Sequence, residues 1–235
     1  MMFGVDIWYI VLVGPTLLLS FWASFMVKST FNKYSKVPSN KRITGVDASA
    51  ILLRANNIND VKVEAVAGSL TDHYSPSDKK LRLSEPVYGS TSIAAIGVAA
   101  HETGHAIQHA KHWGPLVLRS TLVPVANIGS QFGPILAMVG LGIAVATEAF
   151  AGLGDILFTI GILLFSGAVL FYVITLPVEF NASNRAIAIL RASNVLDANE
   201  LRGVRKVLNA AAMTYVASAL TAIANLLVLI LRRRR

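Results

Sequence analysis

The sequence predicts an α-rich membrane protein with about three to four transmembrane helices and a small α+β domain that carries a short antiparallel sheet. Of its 235 residues, 54% are hydrophobic and only 14% are charged, whereas a soluble domain of this length carries about 25% charged residues. The apolar residues gather in four long uncharged stretches. Several membrane spans leave enough chain for one modest water-exposed domain.

The first apolar stretch, residues 7–27, carries no charge and is long enough as a helix to cross about 30 Å of hydrocarbon. Trp8 and Trp22 lie near its ends, where interfacial aromatic residues are typical. Lys28 follows directly, and no small-residue cleavage site comes after the apolar stretch. We therefore expect residues 1–27 to form an uncleaved membrane anchor rather than a signal peptide.

The polar region that follows, residues 28–115, is predicted to fold as the small α+β domain. Thr44 and Asp47 are placed as a capping box, which predicts a short amphipathic helix directly after them. Ser90 or Thr91 can cap a second helix, which is predicted to end at a Trp-Gly-Pro sequence.

Strands are predicted between these two helices. Residues 61–66 alternate between apolar and polar side chains with period two, which is typical of a strand. Residues 70–74 and 79–83 flank a Ser-Pro-Ser-Asp sequence, which predicts a turn between two more strands. We expect the three strands to form a short antiparallel sheet.

The second and third apolar stretches, residues 122–146 and 156–176, are joined by a short acidic connection. They predict a transmembrane hairpin within residues 116–176. Pro124 and Pro134 lie inside the first of the two stretches and indicate a broken or buried helix there.

The pentapeptide HETGH at residues 101–105 matches the pattern HExxH. On a helix, residues four apart share one face, so His101 and His105 can each reach one Zn²⁺ at about 2.0–2.1 Å. Glu102 points elsewhere around the helix and is free to take a proton from a metal-bound water. The pattern is a signature of metalloproteases. The alternative interpretation is an exposed, polar helix turn.

A catalytic zinc normally has three protein ligands and an open position, so the two histidines need a third partner. His109 and His112 lie near the same helix face, but His112 is about 16 Å from His101 along a straight helix. The metzincin pattern needs a glycine and a histidine where this chain has Gln108 and Lys111. We therefore interpret His109 and His112 as part of a solvated helix face.

The predicted hairpin favours Glu179 as the third ligand. A hairpin returns the chain to the side of the HExxH helix at Leu176, and Glu179 follows three residues later. A carboxylate beside apolar sequence needs a partner, which is either a metal or a nearby base such as Arg185. Asp155, the acid that a site-2-type intramembrane protease would use, lies at the far end of the hairpin, about 30 Å away.

Three separated motifs occur in order along the chain. They are LTDHYSPSDKKLRLSEPVY at residues 70–88, HETGHAIQH at residues 101–109 and TLPVEFNASNRA at residues 175–186. With these motifs the chain resembles the YugP-type neutral zinc metallopeptidases, a bacterial membrane family similar to the HtpX and CAAX prenyl protease metallopeptidases. The resemblance extends from the region of Lys28 to the AAAMTYVASALTAIANLL segment at residues 210–227.

The resemblance implies a gluzincin site with one Zn²⁺ per chain. His101, His105 and Glu179 would be the ligands, and Glu102 would be the general base for hydrolysis of peptide bonds in membrane or membrane-proximal proteins. Residues 28–115 would then be a metallopeptidase domain, and residues 177–209 a helix that carries the third ligand. Wider gluzincin relatives place an Asp four residues after the Glu ligand, where it supports the ligands. That position is Ser183 in this chain, with Asn181 nearby, so the orientation of the histidines is left open.

Substrate contacts are expected on the predicted strands, because a free strand edge can add an extended peptide as one more strand. His73 and Tyr74 lie on the predicted second strand and are candidates for oxyanion or substrate contacts. Tyr215, which follows the polar stretch, is a further candidate donor. The alternative for each is a packed or interfacial side chain.

The net charge of +8 does not predict nucleic-acid binding, because the basic residues flank apolar segments and form no stripe with interleaved aromatic residues. We interpret them as topology determinants beside anionic lipid. On a hairpin topology, 17 of the 21 Lys and Arg residues lie on the side of the motif. The positive-inside rule then places the active site in the cytoplasm, and the resemblance implies the bacterial inner (plasma) membrane.

Residues 210–235 are predicted to comprise a last apolar segment and a tail of four arginines. If this segment spans the membrane fully, the tail lies outside, against the positive-inside rule. A re-entrant or interfacial segment is the alternative.

Two other functions stay open. A site-2-type intramembrane protease is disfavoured, because the stretch before His101 is too short and too polar at its ends to span a membrane. A non-enzymatic membrane scaffold with a degenerate metal site is suggested only by Ser183, and an intact Glu102 argues against it. The absence of cysteine excludes disulfides and thiolate ligands. The sequence predicts a protein or peptide substrate and a lipid bilayer as partners, and it predicts no oligomeric state.

Overall fold

The structure is a computed structural model that describes residues 7–146 and 148–233. Residues 1–6 of the predicted anchor and the last two arginines of the predicted tail lie outside the described residues. In this part of the chain the helices are a π-helical turn Tyr9–Val13, α1 (Gly14–Tyr34), α2 (Gly45–Ala55), α3 (Glu85–Tyr88), α4 (Ile93–Ala110), α5 (Gly114–Ala146), a 3₁₀ turn Glu148–Phe150, α6 (Ala151–Ala192) and α7 (Ala198–Arg233). The strands are β1 (Lys62–Val66), β2 (His73–Ser75) and β3 (Lys80–Ser84).

Four helical segments among the described residues are long and apolar enough to cross a membrane. They are Tyr9–Tyr34, Gly114–Ala146, Glu148–Ala192 and Ala198–Arg233. The predicted fold class, an α-rich membrane protein with a small α+β domain, is confirmed.

The expectation of a break in the second span is wrong, because α5 continues through Pro124 and Pro134. Proline also lies inside α6, at Pro177. Each proline removes one helical hydrogen bond, but neighbouring helices and local adjustments satisfy the freed backbone groups in helices of this kind.

The chain divides into two compact units, and the first contains the described parts of residues 1–22, 118–176 and 214–235. Its main apolar core joins α5, α6 and α7 through Ala137, Phe158, Phe165, Ala168, Val169, Ala222 and Leu229. Small residues let α5 and α6 approach closely: a Cβ added at Gly140 or Gly161 would collide with the backbone of the other helix. Such small-residue contacts are typical of membrane helix pairs.

Within this first unit, α7 extends to the level of the connection between α5 and α6. Arg233 near its end lies 3.2 Å from Asp155 near the start of α6. α7 is uninterrupted and packs along α6, which favours a spanning helix over a re-entrant or interfacial last segment. The ion pair gives one arginine of the predicted tail a local counter-charge.

The second unit contains residues 23–117 and 177–213 and holds a sheet that has three strands in the described chain. The strand order is β1-β3-β2, in which β2 pairs antiparallel with β3 but β1 pairs parallel with β3. The predicted all-antiparallel sheet is therefore wrong for β1. Alternation specifies which face of a strand is buried but not its neighbour. The loop after β1 places β2 one strand position away from β1, and β3 then returns between them as the central strand.

That loop also shortens the predicted second strand. Gly68 has a φ of +102° and Leu70 a φ of +61°, values in the left-handed region that a strand does not adopt. β2 therefore begins only at His73.

The helices of this second unit pack around an apolar core from α2, α4, α6 and α7. It contains Ala48, Leu52, Ile93, Ile96, Ala100, Ala186, Ile187, Leu190, Leu196, Val204 and Leu208. Burying each Leu or Ile side chain contributes about 1.5–3 kcal/mol. This core fixes α4 against α6, the two helices that carry the HExxH motif and Glu179.

The helix starts follow capping rules. The predicted capping box of Thr44 and Asp47 is confirmed at α2. The cap of α4 is Ser92, whose hydroxyl accepts from the Ala95 amide at 3.2 Å, and not the predicted Ser90 or Thr91.

Candidate metal centre

The candidate site forms where α4 crosses α6 within the second unit. Gly104, inside the HExxH motif, faces the backbone of Ala182 so closely that an added Cβ would lie 3.0 Å or less from three of its atoms. No side chain separates the two helices at this point. The contact brings the motif beside Glu179 and Ser183, which flank Ala182 on α6 one turn apart.

Three potential ligand atoms converge at this crossing. Glu179 Oε2 lies 3.1 Å from His101 Nε2 and 3.5 Å from His105 Nε2, and the two Nε2 atoms are 3.2 Å apart. Ligands at about 2.05 Å from a tetrahedral ion stand about 3.3 Å from one another. Among residues 7–146 and 148–233, this His-His-Glu group is the one that could hold a metal ion.

The ligand group is largely shielded from water. Glu179 is 2% exposed and His105 is 9% exposed. Burial of a carboxylate is costly unless charged or hydrogen-bonding partners compensate it. The buried Glu179 carboxylate faces the Nε2 atoms of both imidazoles. These three donors are the kind that zinc accepts, so a bound cation would compensate the buried charge.

Gln108, which the sequence reasoning used only to reject the metzincin pattern, orients His105. Its side-chain nitrogen donates to the Val178 carbonyl at 2.8 Å and to Asn181 Oδ1 at 3.1 Å, and both partners are acceptors. The amide orientation is thereby fixed, so Gln108 Oε1 accepts from His105 Nδ1 at 3.0 Å. With its proton on Nδ1, His105 presents the Nε2 lone pair to the ligand group.

Asn181 and Ser183 have separate supporting positions. Asn181 Oδ1 accepts from Gln108 and also from Arg185 Nε at 2.6 Å, so Arg185 holds the network that orients His105. Ser183 Oγ lies 3.0 Å from His101 Nδ1 and can accept a hydrogen bond when that nitrogen carries the proton. Ser183 thus occupies the place beside a histidine where the wider relatives are expected to have an Asp.

Glu102 is half-buried next to the group, and no hydrogen bond or ion pair engages its carboxylate in the described part of the chain. Burial raises the pKa of the Glu102 carboxyl above its ordinary value, and the negative charge of Glu179 adds to the increase. A carboxylate with a raised pKa is a better proton acceptor.

On β2, His73 and Tyr74 make hydrogen-bond contacts of their own. His73 is exposed on β2, and its Nδ1 is 2.7 Å from the Thr71 carbonyl. Tyr74 bonds His109 Nδ1 at 2.8 Å, and burial together with nearby acids raises the pKa of Tyr74 to about 12, so the hydroxyl stays protonated. Tyr215 lies on α7.

Sequence reasoning missed Gln108 as a supporting residue and Gly104 as the point of contact. The spacing of Gln108 three residues after His105 is a signal that could have identified it, since such residues are neighbours on a helix. For Gly104 the sequence offers no comparable signal, because the close approach involves a segment 78 residues further on.

We expect Gln108→Leu to weaken zinc binding by about 10–100-fold. The substitution removes the acceptor that fixes the His105 tautomer and leaves the Val178 carbonyl without its donor. The measurement is a zinc titration of the detergent-purified protein against a chromophoric chelator. His112→Asn is the matched control, since His112 has a φ of +45° that Asn tolerates. Wild-type affinity in Gln108→Leu would contradict the role.

The family model described as "Putative neutral zinc metallopeptidase" matches residues 9–234 of the chain. The chain is also 49% identical over 220 residues to a Bacillus subtilis (strain 168) protein named "Putative membrane protease YugP", and the alignment covers 93% of each chain. No solved structure matches the chain. The predicted resemblance is confirmed along nearly the whole sequence, including both helices of the candidate metal centre. The chain belongs to the neutral zinc metallopeptidase family.

Proposed function

We propose that this protein is a membrane-anchored endopeptidase of the gluzincin type, which hydrolyses peptide bonds of membrane or membrane-proximal proteins. The observation that carries the proposal is the convergence of two imidazole nitrogens and a carboxylate oxygen within 3.1–3.5 Å of one another. A fourth functional group, the unengaged Glu102 carboxylate, lies beside them on α4.

His101, His105 and Glu179 would hold one Zn²⁺ per chain. A zinc ion bound by three protein ligands polarises a carbonyl and lowers the pKa of water. Gln108 and Ser183 would keep both imidazoles turned toward the ion by accepting hydrogen bonds from their Nδ1–H groups. The donor set of two neutral imidazoles and one carboxylate, within 3.1–3.5 Å of one another, fits zinc.

Glu102 is the proposed general base. Its carboxylate would accept a proton from the attacking water and deliver that proton to the nitrogen of the leaving amine. Glu102 lies between His101 and His105 on α4, so the base and two of the three ligands belong to one helix.

The substrate would bind in extended form along β2. β2 is an edge strand that pairs only with β3 in the described sheet, and the Tyr74–His109 hydrogen bond ties it to α4. An extended peptide can add to such an edge through main-chain hydrogen bonds. We retain His73 and Tyr215 as candidates for contacts with the oxyanion.

The proposed location is the bacterial inner membrane, with the active site in the cytoplasm. Four apolar helices and the distribution of Lys and Arg along the chain support it. The ion pair of Arg233 with Asp155 supports a membrane-spanning α7 whose terminal charge is partly compensated.

Zinc content separates this proposal from the site-2-type alternative. We expect about one zinc per chain in the purified wild type and in Asp155→Asn, because Asp155 is half exposed and pairs with Arg233. Glu179→Gln should lose most of its zinc, since it removes the anionic ligand. Metal analysis of the three proteins decides which of the two acids is the third ligand. Loss of zinc in Asp155→Asn together with retention of zinc in Glu179→Gln would assign that role to Asp155.

The general base can be tested without disturbing the ligands. Glu102→Gln keeps the size of the side chain but cannot accept a proton, so we expect hydrolysis to fall by at least about 10²-fold with zinc content unchanged. Cleavage of fluorescently labelled casein by the detergent-solubilised protein is the measurement. Glu85→Gln, on α3, is the control for removal of one carboxylate, and full activity of Glu102→Gln would refute the mechanism.

The topology can be tested with single cysteines, because the chain has none of its own. Asn59→Cys places an exposed thiol in the second unit, and Gly152→Cys places one near the α5–α6 connection, where an added side chain meets nothing within 4 Å. In intact cells a membrane-impermeant maleimide should label Gly152→Cys alone. Asn59→Cys should react only after permeabilisation, and its labelling in intact cells would place the active site outside.

A further inference from the structure

A basic cavity of about 580 Å³ opens in the second unit, where the end of α6 meets the beginning of α7. Its four cationic lining residues are Arg191, Arg202, Arg205 and Lys206. Ala198 and Leu201 supply an apolar wall. The cavity shares no lining residue with the candidate metal centre, so it needs an explanation of its own.

Among the described residues, no acidic side chain that lines the cavity compensates its four positive charges. The two neighbouring acids are used elsewhere. Asp197 caps α7 by accepting from the backbone amides of Asn199 and Glu200. Glu200 is buried and accepts from the Asn40 amide at 2.6 Å. Four like charges around one cavity repel one another, so an anionic occupant stabilises the arrangement.

The position of the cavity along α7 indicates how far from the hydrocarbon layer of the membrane its occupant would lie. Lys206 lies four residues, or about 6 Å, before the apolar stretch that begins at Ala210, and Arg202 lies about 12 Å before it. The headgroup layer of a bilayer extends about 5–7 Å beyond the hydrocarbon. Long Lys and Arg side chains can reach back toward that layer. The cationic ends are therefore within reach of lipid phosphates.

We propose that this cavity binds the phosphate headgroup of an anionic phospholipid, such as phosphatidylglycerol. The guanidinium groups of Arg202 and Arg205 offer the paired donors that suit phosphate oxygens. The apolar wall at Ala198 and Leu201 and the adjoining uncharged stretch of α7 favour a lipid over a free phosphate ion. This proposal is independent of the peptidase activity.

Native mass spectrometry of the full-length, detergent-purified protein tests the proposal. Phosphatidylglycerol and phosphatidylcholine with identical acyl chains are titrated in turn, and the first bound lipid is quantified. We expect preference for phosphatidylglycerol, and an affinity about 30-fold weaker in the double variant Arg202→Gln/Arg205→Gln. The matched control Lys28→Gln/Lys36→Gln removes the same net charge near another apolar stretch and should bind as the wild type does.

Two further measurements keep the outcome decisive. Arg202→Lys/Arg205→Lys retains the charges but loses the paired donors, so its affinity should lie between that of the wild type and that of the double Gln variant. Equal thermal midpoints for all variants exclude unfolding as the cause of a loss. Equal losses in the cavity variant and the control would overturn the proposal in favour of diffuse surface attraction. Displacement of the lipid by millimolar glycerol phosphate or inorganic phosphate would overturn the assignment to a lipid, because the acyl chains would then add nothing.

Discussion

The close contact of α4 with α6 at Gly104 is the constraint on which the candidate metal centre depends. Two ligands lie on one helix turn and are placed by helix geometry alone, but Glu179 comes from a segment 74 residues beyond His105. Only a backbone-to-backbone approach brings a short carboxylate side chain within 3.5 Å of both imidazoles. The apolar core around Ile96 and Leu190 holds the crossing in place, so the stability of the second unit and the geometry of the centre have the same origin.

The residues that orient the histidines are uncharged. Gln108 Oε1 accepts a hydrogen bond from His105 Nδ1, and Ser183 Oγ lies beside His101 Nδ1. Neither contact adds a negative charge to the buried site, unlike the Asp expected from the wider relatives. A buried carboxylate at position 183 would need its own compensation. In this chain the Gln108 amide orients His105. Its own position is fixed by hydrogen bonds to Val178 and Asn181, and no negative charge is needed. Ser183 therefore gives no support to a degenerate centre.

Much of this arrangement could be predicted from the sequence because it rests on local periodicity and on length. Four membrane-length helices follow from uncharged stretches, and the pairing of His101 with His105 follows from a spacing of four. The position of Glu179 followed from hairpin topology. The parallel pairing of β1 with β3 could not be predicted, since strand alternation carries no information on neighbours. The role of Gln108 depends on partners from α6, and the sequence does not give their distance from it.

The mixed pairing of the sheet gives the proposed binding edge a polarity. β2 runs from His73 to Ser75 with only β3 beside it in the described sheet, and antiparallel ladders are slightly more stable per residue than parallel ones. A peptide that joins this edge in the favoured sense runs opposite to β2, and hence in the same direction as β3 and β1. Its amino-terminal half would lie beside Ser75 and its carboxyl-terminal half beside His73. If substrates bind as proposed, the direction of β2 sets the direction in which a substrate chain would lie along this edge.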